Sequence, residues 1–225
     1  MPYLQLQDNK PQATLHLILV NVIVYIATLI NYEFMVGTFA LWPPETPWFR
    51  IWQPVTYMFM HGGFMHIFFN MYSLYLFGSA VEQKIGTRRF LVLYFACGLS
   101  AAALNLLVLW LRGTAVPTVG ASGSIYGLIV AFAMLYPKAR MMLLFPPIPM
   151  TAKWMAIVFI GIELITGITD TVDGVAHFAH LGGAILGFVL IWVWYRLPGI
   201  RSRARLRKMN DYDDFKRGNY DTRNY

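Results

Sequence analysis

Residues 122–136 read SGSIYGLIVAFAMLY, carry no charged side chain, and are closed by Pro137. Backbone groups in lipid must form their hydrogen bonds within their own segment, so an uncharged apolar run of this kind predicts a membrane helix. At 1.5 Å per residue the run reaches about 22 Å, against about 30 Å of hydrocarbon. The stretch therefore predicts a helix too short for the bilayer, with its Ser122 end recessed below one surface.

The composition of the whole chain indicates the same solvent. Of its 225 residues, 57% are hydrophobic and 13% are charged, which is about half of the roughly 25% charge usual in soluble proteins. Five further apolar runs cover residues 15–32, 65–80, 90–111, 154–169 and 175–195. The sequence thus predicts an all-α membrane protein with six transmembrane helices and argues against a soluble enzyme.

The distribution of Lys and Arg predicts the orientation. With the N-terminus in the cytoplasm, 16 of the 18 Lys and Arg residues fall on the cytoplasmic side, and only Arg50 and Arg112 fall on the other. This split follows the positive-inside rule, so both termini are predicted to be cytoplasmic. We expect residues 1–198 to form the membrane domain and residues 199–225 to form a basic, flexible tail near anionic lipid.

The first apolar run is expected to remain in the protein as a helix. No small-residue cleavage site follows it, as a removed signal peptide would require. This feature and the short connections between the runs favour a bacterial plasma membrane.

Four polar side chains are predicted to share one depth in the outer half of the bilayer. His66 and Asn70 begin the second helix, Ser122 begins the fourth, and His180 begins the sixth. Polar groups inside a bilayer usually face the bundle interior or a water-filled cavity. We therefore expect these four residues to form one site.

This set of side chains would support nucleophilic catalysis. His180 can act as the general base for the Ser122 hydroxyl, and the Ser122 N–H group with His66 and Asn70 can donate to an oxyanion. Tyr126 lies one helical turn after Ser122, and we expect its ring to support the imidazole. An aromatic support matters because no carboxylate is expected at the depth of His180.

Three other titratable residues are expected to be structural. Glu163 lies in the middle of the fifth run, where we expect a protonated carboxyl that faces a neighbouring helix. His177 lies three residues before His180, and His61 lies in the loop before the second run.

Metal and cofactor chemistry are not expected. The histidine spacing does not match a zinc motif, and the single cysteine, Cys97, supports neither a disulfide framework nor a Cys-based metal site. No glycine-rich phosphate loop follows a strand. We predict no metal, no cofactor, no nucleotide and no nucleic acid partner.

Three motifs in this order resemble the rhomboid family of intramembrane serine proteases, and most of all its compact six-helix bacterial type. They are His66-x-x-x-Asn70, Gly120-Ala-Ser122-Gly123 and Ala179-His180-x-x-Gly183-x-x-x-Gly187. The resemblance covers about residues 10–197 and implies a six-transmembrane-helix rhomboid-like bundle with a Ser122/His180 catalytic dyad. It also implies an oxyanion site of His66, Asn70 and the Ser122 amide, with supporting roles for Tyr126, Gly120, Gly123, Gly183 and Gly187.

The resemblance further implies single-span transmembrane proteins as substrates and a Trp-rich first loop before the second helix. A Trp-Arg pair that many relatives carry in that loop reads Trp52-Gln53 here. Two alternatives stay open: a catalytically silent rhomboid-like protein that binds transmembrane helices, and a small proton-coupled transporter that uses Glu163 and the histidines.

Overall fold

The apolar runs form helices wherever the structure describes them. The computed structural model describes residues 11–142, 147–169 and 177–196. In chain order its elements are α1 (Gln12–Ile30), α2 (Tyr32–Phe39), α3 (Gln53–Thr56), a 3₁₀ turn (Tyr57–Phe59), α4 (Phe64–Ser73), a π-helical turn (Leu74–Gly78), α5 (Ser79–Ile85), α6 (Thr87–Arg112), α7 (Ser122–Leu135), β1 (Arg140–Met142), β2 (Pro149–Thr151), α8 (Ala152–Thr169) and α9 (His177–Arg196).

Five apolar helical segments within the described residues are long enough to cross a membrane. They are Gln12–Ile30, Phe64–Ile85, Thr87–Arg112, Ala152–Thr169 and His177–Tyr195. Their surfaces carry many exposed large apolar side chains, among them Ile30 at 82% and Ile168 at 67% exposure. Such a surface suits lipid and not water, so the chain is an integral, multi-pass membrane protein.

The shortest of the predicted membrane helices, α7, lies at the centre of the fold. It ends at Leu135, one residue before the predicted end, and is buried along almost its whole length. Its glycines permit close contact with α6, because a Cβ on Gly127 would overlap Cys97 and a Cβ on Gly123 would overlap Ala101. The uncharged sequence of α7 is therefore explained by burial in protein.

The α7–α9 contact is equally close. A Cβ on Gly183 would overlap the carbonyl oxygen of Gly123, and a Cβ on Gly187 would lie 2.6 Å from the carbonyl oxygen of Gly127. These two glycines of α9 therefore let the two backbones touch.

Two predicted boundaries differ from the structure for local reasons. The first run was expected to continue to Tyr32, but α1 ends at Ile30 because the side chain of Asn31 accepts a hydrogen bond from Phe34 N–H at 3.2 Å and caps α2. The second run was expected to end at residue 80, but the helical segment continues through the π-helical turn and ends at Ile85.

A short hairpin departs from the all-α prediction. Strands β1 and β2 pair antiparallel, with Arg140 opposite Thr151. Three-residue strands carry too little pattern to be recognised in a sequence.

The chain divides into two compact units, residues 1–188 and 189–225, and the second is described only over residues 189–196. Several expectations lie outside the described residues: the tail at 199–225, the start of the sixth run at 175–176, and residues 1–10 and 197–198 of the predicted membrane domain.

Candidate active site

The predicted nucleophile and base lie within hydrogen-bonding distance of each other. Ser122 is the first residue of α7, and His180 lies in the first turn of α9. The Oγ atom of Ser122 is 2.7 Å from Nε2 of His180. A hydroxyl and an imidazole at this distance can exchange a proton directly.

The ring of Tyr126 stacks on this imidazole. The two ring centroids are 4.4 Å apart and the ring planes differ by 9°. Tyr126 lies on the same face of α7 as Ser122, one turn further along, so one helix carries both the hydroxyl and the ring that faces the base.

His66 and Asn70 lie near Ser122 on α4. The Asn70 amide donates to the backbone carbonyl of His66 at 2.8 Å. Nε2 of His66 lies close to Gly120, where a Cβ would approach it to 2.8 Å. Gly120 also has a φ of 129°, which a side chain would strain, so a glycine is required at this position for two reasons.

All four polar residues line one open cavity of about 1260 Å³. The wall of the cavity is formed by the loop before Ser122 (residues 114–120, here called the Ser122 loop) and by α4, α6 and α9. Its lining includes Gly62, His66, Asn70, Asn105, Arg112, Thr118, Gly120, Ser122, His177 and His180. Gly120 and Gly123 also line this cavity, whereas Tyr126, Gly183 and Gly187 do not.

The loop before Ser122 is held by partners that the sequence does not reveal. Thr118 and Leu41 exchange two backbone hydrogen bonds of 2.9 Å, and Gly120 N–H donates to the Tyr57 carbonyl at 3.0 Å. The Asn105 amide donates to the Thr118 hydroxyl at 2.7 Å. These contacts connect residues 13 to 77 positions apart, and no local pattern signals them.

Gln53, which follows Trp52, holds the first loop together. Gln53 is fully buried; its carbonyl oxygen accepts from Trp42 N–H at 3.2 Å, and its amide donates to the Trp48 carbonyl at 2.8 Å. Trp52 donates to the Thr38 carbonyl at 3.0 Å. The Gln53 side chain therefore stabilises the first loop by hydrogen bonds to the backbone of that loop.

His61, in the turn before α4, packs beside His66 with ring centroids 5.0 Å apart. Burial, together with the neighbouring His66, lowers the pKa of His61 to about 3. The residue is therefore neutral near pH 7, in agreement with a structural role.

A carboxylate lies beside His180, and the expectation that none would do so is wrong. Oε2 of Glu163 is 2.9 Å from Nδ1 of His180 and 2.6 Å from Nδ1 of His177. Glu163 also accepts a hydrogen bond from the Tyr126 hydroxyl. The expectation failed because α8 is apolar on most of its surface, so its sequence does not show which face meets α9. The signals that could have found this contact are the lone carboxylate in an apolar run and the His177/His180 spacing.

Glu163, His177 and His180 are also a group, within the residues that the structure describes, whose donor atoms could surround a metal ion. Their Oε2–Nδ1 distances are 2.6 and 2.9 Å. Two ligand atoms about 2.0 Å from a tetrahedral zinc ion are about 3.3 Å apart. The observed distances therefore fit hydrogen bonds and ion pairs better than a metal site.

Comparison with known proteins identifies the family. The model of the rhomboid domain matches residues 49–197. The chain belongs to the rhomboid family. It is 30% identical over 154 residues to Rhomboid protein 1, mitochondrial, of Saccharomyces cerevisiae, covering 66% of this chain and 43% of the yeast protein.

Other members of the family are similarly distant. The chain is 32% identical over 141 residues to the Rhomboid protease GluP of Bacillus subtilis, covering 63% of this chain and 25% of that protein. It is 27% identical over 213 residues to Rhomboid-like protein 11, chloroplastic, of Arabidopsis thaliana, covering 90% of this chain and 74% of that protein. The chain thus spans less than half the length of the yeast and Bacillus relatives.

Proposed function

We propose that this rhomboid is an intramembrane serine endopeptidase that cleaves transmembrane segments of membrane proteins. The observation that carries the proposal is the 2.7 Å distance between Ser122 Oγ and His180 Nε2 at the wall of an open cavity. The rhomboid family includes a protease by name, GluP of Bacillus subtilis. A serine paired with a histidine is the arrangement that activates a hydroxyl for attack on a peptide carbonyl.

In the proposed reaction His180 takes the Ser122 proton while Oγ bonds to the substrate carbonyl carbon. His180 then gives this proton to the leaving amine as the C–N bond breaks. The carbonyl oxygen becomes negative in between, and the Ser122 N–H group, His66 and Asn70 are the proposed donors to it. Removal of one such donor in other enzymes costs about 3 kcal/mol.

The proposed substrate is a single-span membrane protein. While the substrate segment is helical, its peptide groups are hydrogen-bonded within the helix and are shielded from attack by Ser122. A segment with Gly or Pro should therefore unwind into the cavity more readily. The proposal includes six transmembrane helices with α7 as the fourth, cytoplasmic termini, and a basic cytoplasmic tail at residues 199–225. The short connections favour a bacterial plasma membrane.

The test uses the purified full chain in detergent with a fluorophosphonate probe. We expect labelling of the wild type and none of Ser122→Ala or His180→Ala. The same samples are then incubated with a panel of single-span substrates, and the products are mapped by mass spectrometry. A folded wild type that neither labels nor cleaves would contradict the enzyme and favour the binder of transmembrane helices, whereas proton flux into liposomes without cleavage would favour the transporter.

A further inference from the structure

A carboxylate is buried where α7, α8 and α9 meet. Glu163 on α8 is 7% exposed. It accepts from the Tyr126 hydroxyl of α7, and its Oε2 atom lies within 3 Å of Nδ1 of both His177 and His180 of α9. Burying a carboxylate costs free energy unless hydrogen bonds or opposite charges compensate it. Hydrogen bonds from Tyr126 and His177 and the ion-pair contact with His180 meet this need. They suit an ionised carboxylate, not the protonated one that the sequence suggested.

The contact between His180 and Ser122 determines where the imidazole proton lies. Nε2 can accept the Ser122 proton only if it carries none itself, so the neutral ring must hold its one proton on Nδ1. That nitrogen is buried from solvent, and Oε2 of Glu163 lies 2.9 Å from it. The two atoms lie at ion-pair distance, but their arrangement is not that of a hydrogen bond. Catalytic hydrogen bonds in free enzymes are often poorly aligned and tighten when substrate binds.

We propose that Glu163 is a positioning residue for catalysis, and that the chain uses a Ser122–His180–Glu163 triad where the family resemblance implies a dyad. The proposal rests on the proposed protease function and deepens it. Glu163 holds His180 in the tautomer with the proton on Nδ1, and Tyr126 and His177 hold the carboxylate in place. Three separate helices thus supply one residue each.

The proposed step is balanced without a further reactant. Ser122 Oγ bonds to the carbonyl carbon, its proton passes to His180 Nε2, and the carbonyl oxygen gains the negative charge. The imidazolium so formed lies against the Glu163 carboxylate, which pairs with its charge and takes no proton. The Nε2 proton then leaves with the amine, and a water molecule hydrolyses the acyl-enzyme by the same route.

The kinetic test replaces Glu163 by Gln, which keeps the shape and removes the charge. An Asp-to-Asn change in a serine protease triad lowers kcat about 10⁴-fold through the wrong tautomer, so we expect kcat to fall at least about 100-fold. Glu163 is absent from the cavity lining, and KM should therefore change by no more than about twofold. Glu163→Asp keeps the charge and should recover part of kcat.

The matched control is Glu82→Gln. Glu82 is also a buried carboxylate, 3% exposed, and it accepts hydrogen bonds from Ala13, Thr14 and Thr87 away from the cavity. We expect Glu82→Gln to lower the melting temperature and to leave kcat unchanged. A wild-type kcat in folded Glu163→Gln would overturn the triad. It would leave the protease function intact, since that function is tested separately by the loss of labelling and cleavage in Ser122→Ala.

The second measurement needs no variant to be active. Nitrogen-15 NMR of histidine-labelled protein in detergent reports which ring nitrogen carries the proton, and the His180 signals are assigned by their loss in His180→Gln. We expect Nδ1 to be protonated in the wild type, and we expect a mixture of tautomers in Glu163→Gln. A wild-type His180 protonated on Nε2 would overturn the proposal, even if Glu163→Gln failed to fold. A lower kcat with an unchanged tautomer would also overturn it.

Discussion

The phenol of Tyr126 makes two separate contacts, because its ring stacks on His180 at a centroid distance of 4.4 Å and its hydroxyl donates to Glu163. One side chain of α7 therefore contacts both the proposed base and the carboxylate that faces it. The two contacts can be separated by substitution.

We predict that Tyr126→Phe, which keeps the ring, lowers kcat about tenfold and that Tyr126→Leu lowers it about 100-fold. A hydrogen bond to a charged group contributes about 1.5–3 kcal/mol and an aromatic stack about 0.5–1.5 kcal/mol, and each 1.4 kcal/mol is a factor of ten. The measurement is cleavage of a single-span substrate under saturating conditions. Tyr94→Phe, a buried tyrosine of α6 outside the cavity lining, is the control. Equal rates for Tyr126→Leu and wild type would argue that the ring only fills space.

We predict that Gly183→Ala separates α7 from α9 and removes activity. The new Cβ would overlap the backbone oxygen of Gly123, which cannot move without shifting the start of α7, and overpacking of this kind costs about 1–3 kcal/mol. Fluorophosphonate labelling and the melting temperature should both fall. Gly161→Ala in α8 has no atom within 4 Å of its Cβ and should keep both, with up to about 1 kcal/mol gained in helix propensity. Normal labelling of Gly183→Ala would contradict the need for this contact.

The apolar runs could be predicted as helices because a helix satisfies its backbone hydrogen bonds within its own segment and needs no partner to form. The sequence also predicted that Ser122 and His180 would meet, because their depths follow from the start of each run. It did not predict the neighbours of Glu163, because rotation of α8 about its axis depends on packing. The helix is apolar on most of its surface, and its periodicity therefore does not define a face.

The supports of the Ser122 loop were also beyond prediction. Leu41 pairs with Thr118 across 77 positions, and the contact uses backbone atoms that every residue possesses. The hairpin of β1 and β2 was missed for a related reason, since its strands have three residues each.

We predict that acid destabilises the protein partly through His61. Because burial lowers its pKa to about 3, the folded state keeps the ring neutral while the unfolded chain takes up a proton below about pH 6.5. The unfolded state thus binds more protons between these values, and stability falls as the pH falls through this window. From pH 7.5 to pH 5 the loss from His61 is about 2 kcal/mol. Unfolding in detergent at the two pH values should show a smaller loss for His61→Asn, and equal losses in both proteins would contradict the assignment.

We predict that Glu82→Gln lowers the free energy of unfolding by about 2–4 kcal/mol, because hydrogen bonds to a charged group contribute about 1.5–3 kcal/mol each. The Glu82 carboxylate accepts from the backbone N–H groups of Ala13 and Thr14 at 3.1 and 2.9 Å and from the Thr14 and Thr87 hydroxyls at 2.8 Å. It therefore caps the first turn of α1 from α5, where a negative charge is also favoured by the helix dipole.

The measurement for Glu82 is equilibrium unfolding in mixed micelles, with Glu45→Gln, an exposed carboxylate of the first loop, as the control. An exposed substitution of this type should change stability by no more than about 0.5 kcal/mol. Thr87→Val removes one of the donors and should give an intermediate loss. Because Glu82 and Thr87 lie outside the cavity lining, both variants should cleave substrate at the wild-type kcat while folded. A loss of kcat in these variants would mean that the position of α1 affects the cavity, and an unchanged stability would mean that water replaces the carboxylate as acceptor for α1.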